Sequence, residues 1–120
     1  VAGGCDNSMS LSNDAECYDP ETDSWAPFSP MRFKRRSSAE VVLNGHVYVI
    51  GGYDGHHAVD VMERYDSVTD TWTTLKAMNT ARYSFSSGVS CGRIFVFGGF
   101  DSTHGKNVIK SVEMYDPETN

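Results

Sequence analysis

The chain has 120 residues, of which 39% are hydrophobic and 12% aromatic, so it can bury a core of its own and is not a disordered tail. Its formal net charge of −6 argues against nucleic acid or an anionic membrane as a partner, because both require a basic face. No apolar run is long enough to span a bilayer, and no basic-then-apolar signal segment is visible.

Glycine doublets recur along the chain at an interval of 47 or 48 residues, at Gly3-Gly4, Gly51-Gly52 and Gly98-Gly99. The run ECYDPETDSW at 16–25 returns as ERYDSVTDTW at 63–72 and begins again as EMYDPETN at 113–120. A period of this length is typical of repeat architectures in which each unit is one supersecondary element. We therefore expect the C-terminal part of one unit over 1–30, a complete unit over 31–78 and most of a third over 79–120.

The complete unit begins with two predicted strands, over residues 38–43 and 46–50. Between them, Asn44-Gly45 is a strong signal for a two-residue hairpin turn. The second strand is apolar on both faces, as is its counterpart over 94–97, so both are expected to be buried on both sides.

Two further strands are predicted over about 59–65 and over 72–75, the latter rich in hydroxyls and typical of an outer strand. No stretch shows the periodicity of an amphipathic helix. Four antiparallel strands per repeat predict an all-β fold, a β-propeller of which these residues supply about two and a half blades. Because about 4–8 blades close a propeller, we expect the remaining blades to come from a longer chain or from other copies.

These motifs resemble the kelch repeat, in which a hydrophobic strand ends in Gly-Gly and is followed by a Tyr and then a Trp. The doublets are expected to turn through positive φ and to let neighbouring blades approach, while Tyr65 and Trp72 pack between blades. An arginine before the first strand of each blade is expected to anchor a loop or to pair with an acid such as Glu63. The residues with an expected structural role are Gly3, Gly4, Tyr18, Trp25, Arg35, Gly51, Gly52, Tyr65, Trp72, Arg82, Gly98, Gly99 and Tyr115.

Several local patterns suggest chemistry but have simpler explanations. The run that starts at Gly51 lacks the glycine spacing and following helix of a phosphate loop. A metal site needs converging ligands, but His46 begins a strand and His104 lies one blade away from His56 and His57. The loop histidines are therefore interpreted as solvent-facing. The spaced acids lack the features of a calcium loop and are interpreted as turn caps. They are Asp19/Asp23, Asp66/Asp70 and Asp116/Asn120. We expect no metal, no cofactor and no catalytic residue.

Three widely spaced cysteines, Cys5, Cys17 and Cys91, are typical of reduced thiols in a cytoplasmic protein. The basic cluster over 32–36 resembles a nuclear signal, but a loop that faces an acidic partner is the more economical interpretation.

Among kelch proteins, the sequence resembles the BTB-kelch adaptors, whose propellers bind substrate segments and whose BTB domains recruit a cullin ubiquitin ligase. The resemblance implies a non-enzymatic interaction module that binds an acidic protein or peptide ligand, with the cullin ligase reached through a domain outside these residues. The implied binding loops contain Arg36, Ser37, Tyr53, His56, His57, Ala58, Tyr83, Ser84, Phe100 and His104. Arg36 would engage a carboxylate, the aromatic residues would stack, and the serines would hydrogen-bond backbone.

Arg36 and Tyr83 stand where the best-known member often has Ser, so that member's substrate motif is not carried over. Two alternatives stay open at this point: an actin-binding or cytoskeletal cross-linking kelch protein, and an enzyme of the galactose-oxidase kind.

Overall fold

A computed structural model describes residues 1–103 and 107–120, and the described part is built from nine antiparallel strands. They are β1 (Ala15–Asp19), β2 (Ser24–Phe28), β3 (Ala39–Leu43), β4 (His46–Ile50), β5 (Met62–Asp66), β6 (Thr71–Leu75), β7 (Ser86–Ser90), β8 (Arg93–Phe97) and β9 (Val112–Tyr115). They form three sheets in the orders β1-β2, β3-β4-β5-β6 and β7-β8-β9, here called the first, second and third sheets. Within the described residues, no helix has the length and apolarity needed to cross a membrane.

The second sheet is the complete four-stranded unit that the repeat predicts. Asn44 and Gly45 both have positive φ, 52° and 75°, and form the tight turn between β3 and β4. β4 carries Tyr48 and Ile50 on one face and Val49 on the other, all buried, so the prediction of burial on both sides is confirmed. The fourth strand, β6, exposes its hydroxyls and buries Trp72.

Two details of the strand prediction are wrong. The third strand begins at Met62 rather than near residue 59, because the backbone just before Met62 forms hydrogen bonds with the glycine doublet. Val59 donates its N–H to the Gly52 carbonyl, and the Val61 carbonyl accepts the N–H of Gly51. On β8, Phe97 is 42% exposed rather than buried, since it points away from the second sheet.

The first and second sheets are held together by a closed apolar cluster centred on Trp72, which is 5% exposed. Its indole N–H donates to the Ser29 carbonyl at 2.6 Å, and its ring stacks on Phe28 with centroids 6.3 Å apart. The Tyr65 ring contacts both, with its centroid 5.2 Å from that of Trp72 and 4.5 Å from that of Phe28. The prediction that Tyr and Trp pack between blades is confirmed at this interface.

The second and third sheets meet through another apolar cluster, in which Tyr48 and Ile50 of β4 pack with Ile94 and Val96 of β8. Leu43 and Met62 complete its buried part. Each sheet of the stack therefore covers a face of the next, as in a propeller.

A buried ion pair sits at the start of each of the last two units. Arg35 pairs with Glu63, and both side chains are fully buried. Arg82 pairs with Glu113 at 2.8 Å, and here the carboxylate is 14% exposed. Each arginine also donates to two backbone carbonyls, those of Gly51 and Val61 for Arg35. These bonds compensate the desolvation of the charges and confirm that the arginine anchors a loop against an acid.

Gly51 has to be glycine because neighbouring atoms leave no room for a side chain. A Cβ there would lie 2.7 Å from the Arg82 carbonyl oxygen and 2.8 Å from the Phe85 ring, and φ is +58°. The close approach of blades that the doublets predict is present at this position.

The turn between the third and fourth strands of each unit is capped by its first acid, as predicted. Asp66 accepts the N–H of Val68, and Asp116 accepts the N–H of Glu118. The second acid of the pattern, Asp70, also links two units. It has a φ of 51° and accepts the Tyr65 hydroxyl hydrogen at 2.8 Å. It also accepts the Ser29 N–H of the preceding unit at 3.0 Å. Burial and this carboxylate raise the pKa of Tyr65 to about 12, so its hydroxyl remains a donor.

Candidate partner-binding face

The loops that follow the glycine doublets are tied to the loops that follow the arginines by short backbone bridges. Tyr53 exchanges two backbone hydrogen bonds with Arg36, at 2.8 and 3.1 Å. One unit further on, Phe100 exchanges the same pair of bonds with Tyr83, at 3.0 and 3.1 Å. The repeat therefore places equivalent side chains side by side at one end of the sheets, which we call the loop face.

Four side chains form a continuous row across the loop face. The Arg36 guanidinium carbon lies 5.4 Å from the centroid of the Tyr53 ring, within reach of a cation–π contact. The Tyr53 and Tyr83 rings are 5.4 Å apart, and the Tyr83 and Phe100 rings are 5.9 Å apart. All four are residues that the resemblance implies for partner binding, and the structure brings them together.

At the other end of the row, Arg36 faces sulfur atoms of the first unit. Its Nη1 lies 3.4 Å from the Met9 thioether and 3.8 Å from the Cys5 thiol. No carboxylate is within ion-pair distance of this guanidinium in the part of the chain that the structure describes. Its charge is thus available to a ligand, in contrast to that of Arg35 next to it.

Ser37 and Ser84 connect the second and third units through their backbone atoms. Both adopt the left-handed conformation, with φ 55° and 50°, which is uncommon for serine and is found at functional sites and tight turns. The Ser84 N–H donates to the Ser37 carbonyl at 3.0 Å, across the junction between units. A role for their hydroxyls toward a partner stays a prediction.

The loop after Gly52 presents both histidines to solvent. Asp54 accepts the backbone N–H of His56 and of His57 at 2.8 and 2.7 Å, and these bonds lower the pKa of that carboxyl. Ala58 pairs with Tyr53 to close the loop, and its N–H donates to the Ser102 hydroxyl of the next unit. His104 lies outside the described residues.

The row borders a depression of about 450 Å³ lined by Cys5, Arg36, Ser37, Tyr53 and Tyr83. Cys5 and Met9 were missed by the sequence reasoning. The signal was present for Cys5, because it follows Gly3-Gly4 as Tyr53 follows Gly51-Gly52 and as Phe100 follows Gly98-Gly99. Met9 gave no such signal, because the loops after the second and third doublets contain no equivalent residue.

The face has no arrangement for metal binding in the described residues, where no group of three His, Cys, Asp or Glu side chains converges. All three cysteines are exposed free thiols. The chemistry that the loop face does offer is a cation beside a row of aromatic rings tilted against one another, which suits a carboxylate flanked by apolar or planar groups.

Comparison with known proteins supports the repeat assignment. The family model described as Kelch motif matches the chain three times, over residues 1–32, 34–79 and 81–120. The Influenza virus NS1A-binding protein homolog of Mus musculus is 43% identical over 56 residues, which are 47% of this chain and 9% of that protein. Kelch-like protein 4 of Homo sapiens is 42% identical over 53 residues, which are 44% of this chain and 7% of that protein. The chain spans less than a tenth of these curated relatives.

A solved structure described as "Structure of YjhT" superposes with a TM-score of 0.70 at 19% sequence identity. The superposition covers 83% of this chain and 34% of that one. At this identity the likeness shows the fold alone, and it confirms the all-β propeller predicted from the repeat.

Proposed function

Because this chain belongs to the kelch-motif family, we propose that its loop face binds the substrate of a BTB-kelch adaptor for a cullin-type E3 ubiquitin ligase. The chain is a kelch-repeat protein-interaction module related to kelch-like proteins. The observation that carries the proposal is the row formed by Arg36, Tyr53, Tyr83 and Phe100.

The row has the composition of an interface hot spot, since tyrosine and arginine dominate the energetics of protein recognition. Arg36 has no carboxylate partner among the described residues, so a ligand carboxylate would gain a charge-assisted hydrogen bond without displacing an internal one. The flanking rings supply apolar area at low cost in side-chain entropy. We therefore propose an acidic protein or peptide segment as the ligand, met in the cytoplasm.

The comparisons support a protein ligand by analogy. The human relative named Influenza virus NS1A-binding protein is 41% identical over 56 residues, and its name states that it binds NS1A. The ligase role itself rests on the likeness to kelch-like proteins, and the cullin would be recruited through a BTB domain elsewhere in such a protein.

The first experiment compares partners recovered from cell extract by the immobilised chain and by a variant with Arg36→Glu and Tyr83→Ala. Arg32→Glu is the matched control, because Arg32 is an exposed arginine four residues away and outside the row. We expect the double variant to recover at least tenfold less of the specific partner, while the control recovers as much as the original chain. Equal recovery by all three proteins would contradict the assignment of the face.

A second experiment separates the ligase proposal from the cytoskeletal alternative. The product of the full reading frame is purified from cells and assayed for an associated cullin and for ubiquitylation of the recovered partner. We expect both. Sedimentation with actin filaments in the absence of any cullin would contradict the adaptor role and favour the cytoskeletal one.

A further inference from the structure

The basic cluster that precedes the second sheet is only partly used by the loop face. Arg36 belongs to the row, whereas Arg32 and Lys34 are exposed and lie outside it. None of these three side chains forms an ion pair within the part of the chain that the structure describes. The remaining member of the cluster, Arg35, is fully buried in its own ion pair. The segment therefore presents three cations at the surface and hides the fourth.

The spacing of the exposed cations singles out one of the two serines that follow them. Lys34 lies three residues before Ser37, and Arg32 lies five residues before it. Many serine/threonine kinases choose their acceptor through basic residues at such positions on its N-terminal side. For Ser38 the residue three positions before is Arg35, whose guanidinium is buried and cannot be read from outside. The fold thus offers Ser37 rather than Ser38 to a kinase of this kind.

The segment is also accessible to an enzyme. Ser37 is exposed, and residues 32–35 belong to no helix or strand. Segments of this kind run over the surface and are the usual places where other proteins are met. A kinase can therefore approach the acceptor and the basic residues from the same side.

The next unit contains the same backbone without the charges. Ser84 is the repeat equivalent of Ser37, is also exposed and has a φ of 50°. The residues three and five positions before it are Ala81 and Asn79. Arg82, two positions before it, is fully buried in its ion pair. Ser84 therefore has the geometry of Ser37 but no exposed cation among the five residues that precede it.

A phosphate on Ser37 would act directly on the loop face. Ser37 and Arg36 line the same depression. A phosphoserine carries a charge of about −1.5 to −2 at pH 7 and three acceptor oxygens, and guanidinium groups bind phosphate through paired hydrogen bonds. Arg36 has no carboxylate partner among the described residues, so the phosphate would take the place of a ligand carboxylate. Its charge would also repel an acidic ligand.

We propose that Ser37 is a phosphorylation site for a serine/threonine kinase that selects basic segments, and that its phosphate excludes acidic ligands by engaging Arg36. The γ-phosphoryl group of ATP is transferred to the Ser37 Oγ, ADP is the leaving group, and the hydroxyl proton passes to a base of the kinase. The regulatory half rests on the proposed function, because it requires that a ligand carboxylate binds Arg36. The assignment of the modification site does not.

The first test maps the modified residue. The product of the full reading frame is incubated with ATP and the purified catalytic domain of a kinase of this class, and the phosphorylated residues are identified by mass spectrometry. We expect phosphate on Ser37 and none on Ser38 or Ser84. Absence of phosphate from Ser37, or modification of Ser38 or Ser84 to the same extent, would overturn the assignment of the site.

A pair of variants tests how the segment is recognised. Arg32→Ala combined with Lys34→Ala should lower the rate of Ser37 phosphorylation at least tenfold, because the kinase loses both exposed cations. Lys76→Ala is the matched control, since Lys76 is an exposed lysine on the segment that leads to Ser84. It should leave the rate unchanged. Equal rates for the double variant and the control would contradict recognition through the basic cluster.

The regulatory half is tested by partner recovery from cell extract. We expect the phosphorylated protein to recover at least tenfold less of the specific partner than the same sample after phosphatase treatment. Equal recovery by the two samples would overturn the regulation. The variant with Arg36→Glu and Tyr83→Ala, assayed in parallel, separates the two failures. If this variant still loses the partner, only the regulation falls, whereas undiminished recovery by the variant as well would mean that the proposed function falls with it.

Discussion

The two interfaces between sheets are made from the same repeat positions, yet one is closed and the other contains a cavity. Between the first and second sheets, Trp72 fills the space and reaches the Ser29 carbonyl. Between the second and third sheets, the equivalent walls surround about 300 Å³. The residue that fills the first of these interfaces, Trp72, comes from β6, the last strand of the second sheet.

The two buried ion pairs also differ in how exposed they are to solvent, and the more exposed pair lies at the interface with the cavity. Arg35 and Glu63 are fully buried at the closed interface, whereas Glu113 is 14% exposed at the open one. Burial disfavours the charged form of Glu113, but the Asn79 N–H and the Arg82 guanidinium outweigh it and lower the pKa of this carboxyl. The ion pair at the interface with the cavity therefore has the more exposed carboxylate of the two.

The largest expected effect comes from breaking the close approach that both interfaces need. Gly51→Val puts a Cβ within 2.8 Å of atoms of Arg82 and Phe85, so we expect it to cost more than about 4 kcal/mol and to unfold the chain. Gly45→Val is the matched control, since Gly45 also has positive φ but no atom within 4 Å. It should cost only about 1–2 kcal/mol of backbone strain. Urea unfolding followed by circular dichroism measures both, and full stability of Gly51→Val would contradict the structure of the doublet.

A second substitution makes the closed interface resemble the open one. Trp72→Ala leaves a cavity among seven apolar neighbours and should lower the free energy of unfolding by about 3–5 kcal/mol. Trp25→Ala, at a tryptophan that is 56% exposed, should change it by less than about 1 kcal/mol. Equal losses in the two variants would show that the difference between the interfaces is not energetic.

The smallest expected effect concerns acid stability. The Ser29 N–H and the Tyr65 hydroxyl lower the pKa of Asp70 in the folded state, so its contribution to stability is present above about pH 4 and is lost as the pH falls through the lowered pKa. Asn120 occupies the equivalent site without a charge and accepts the Tyr115 hydroxyl at 2.9 Å. Asp70→Asn should therefore make stability fall less steeply below pH 4, and Asn120→Asp should make it fall more steeply. Thermal unfolding from pH 7 to pH 2 gives both slopes, and slopes unchanged from the original chain would refute this.

Much of the fold was readable from the sequence because the repeat constrains it three times over. The hairpin at Asn44-Gly45 follows from local chemistry, and the apolar pattern of β4 predicts its burial on both faces, which the sheets on either side provide. The start of β5 did not, because residues just before Met62 bond to the glycine doublet, and that competition depends on tertiary contacts. The exposure of Phe97 was equally hidden, since burial of an outer face depends on a neighbouring sheet.

The loop face was predictable in its residues but not in its arrangement. Counting from the doublets and the arginines led to Arg36, Tyr53, Tyr83 and Phe100, because the repeat brings equivalent loops to one end of the sheets. Their contacts in a single row depend on the angle between sheets, which no local pattern encodes. The left-handed backbone of Ser37 and Ser84 was also missed, since serine has little intrinsic preference for that conformation.

The central claim, that partners meet the loop face, is tested most directly by hydrogen exchange of the chain with and without the partner recovered from extract. We predict protection at the amides of residues 53–58, of Tyr83 and of Phe100, all of which border the row, with no change along β6. Protection confined to β6, β9 and the walls of the cavity, with the loop face unchanged, would contradict the account.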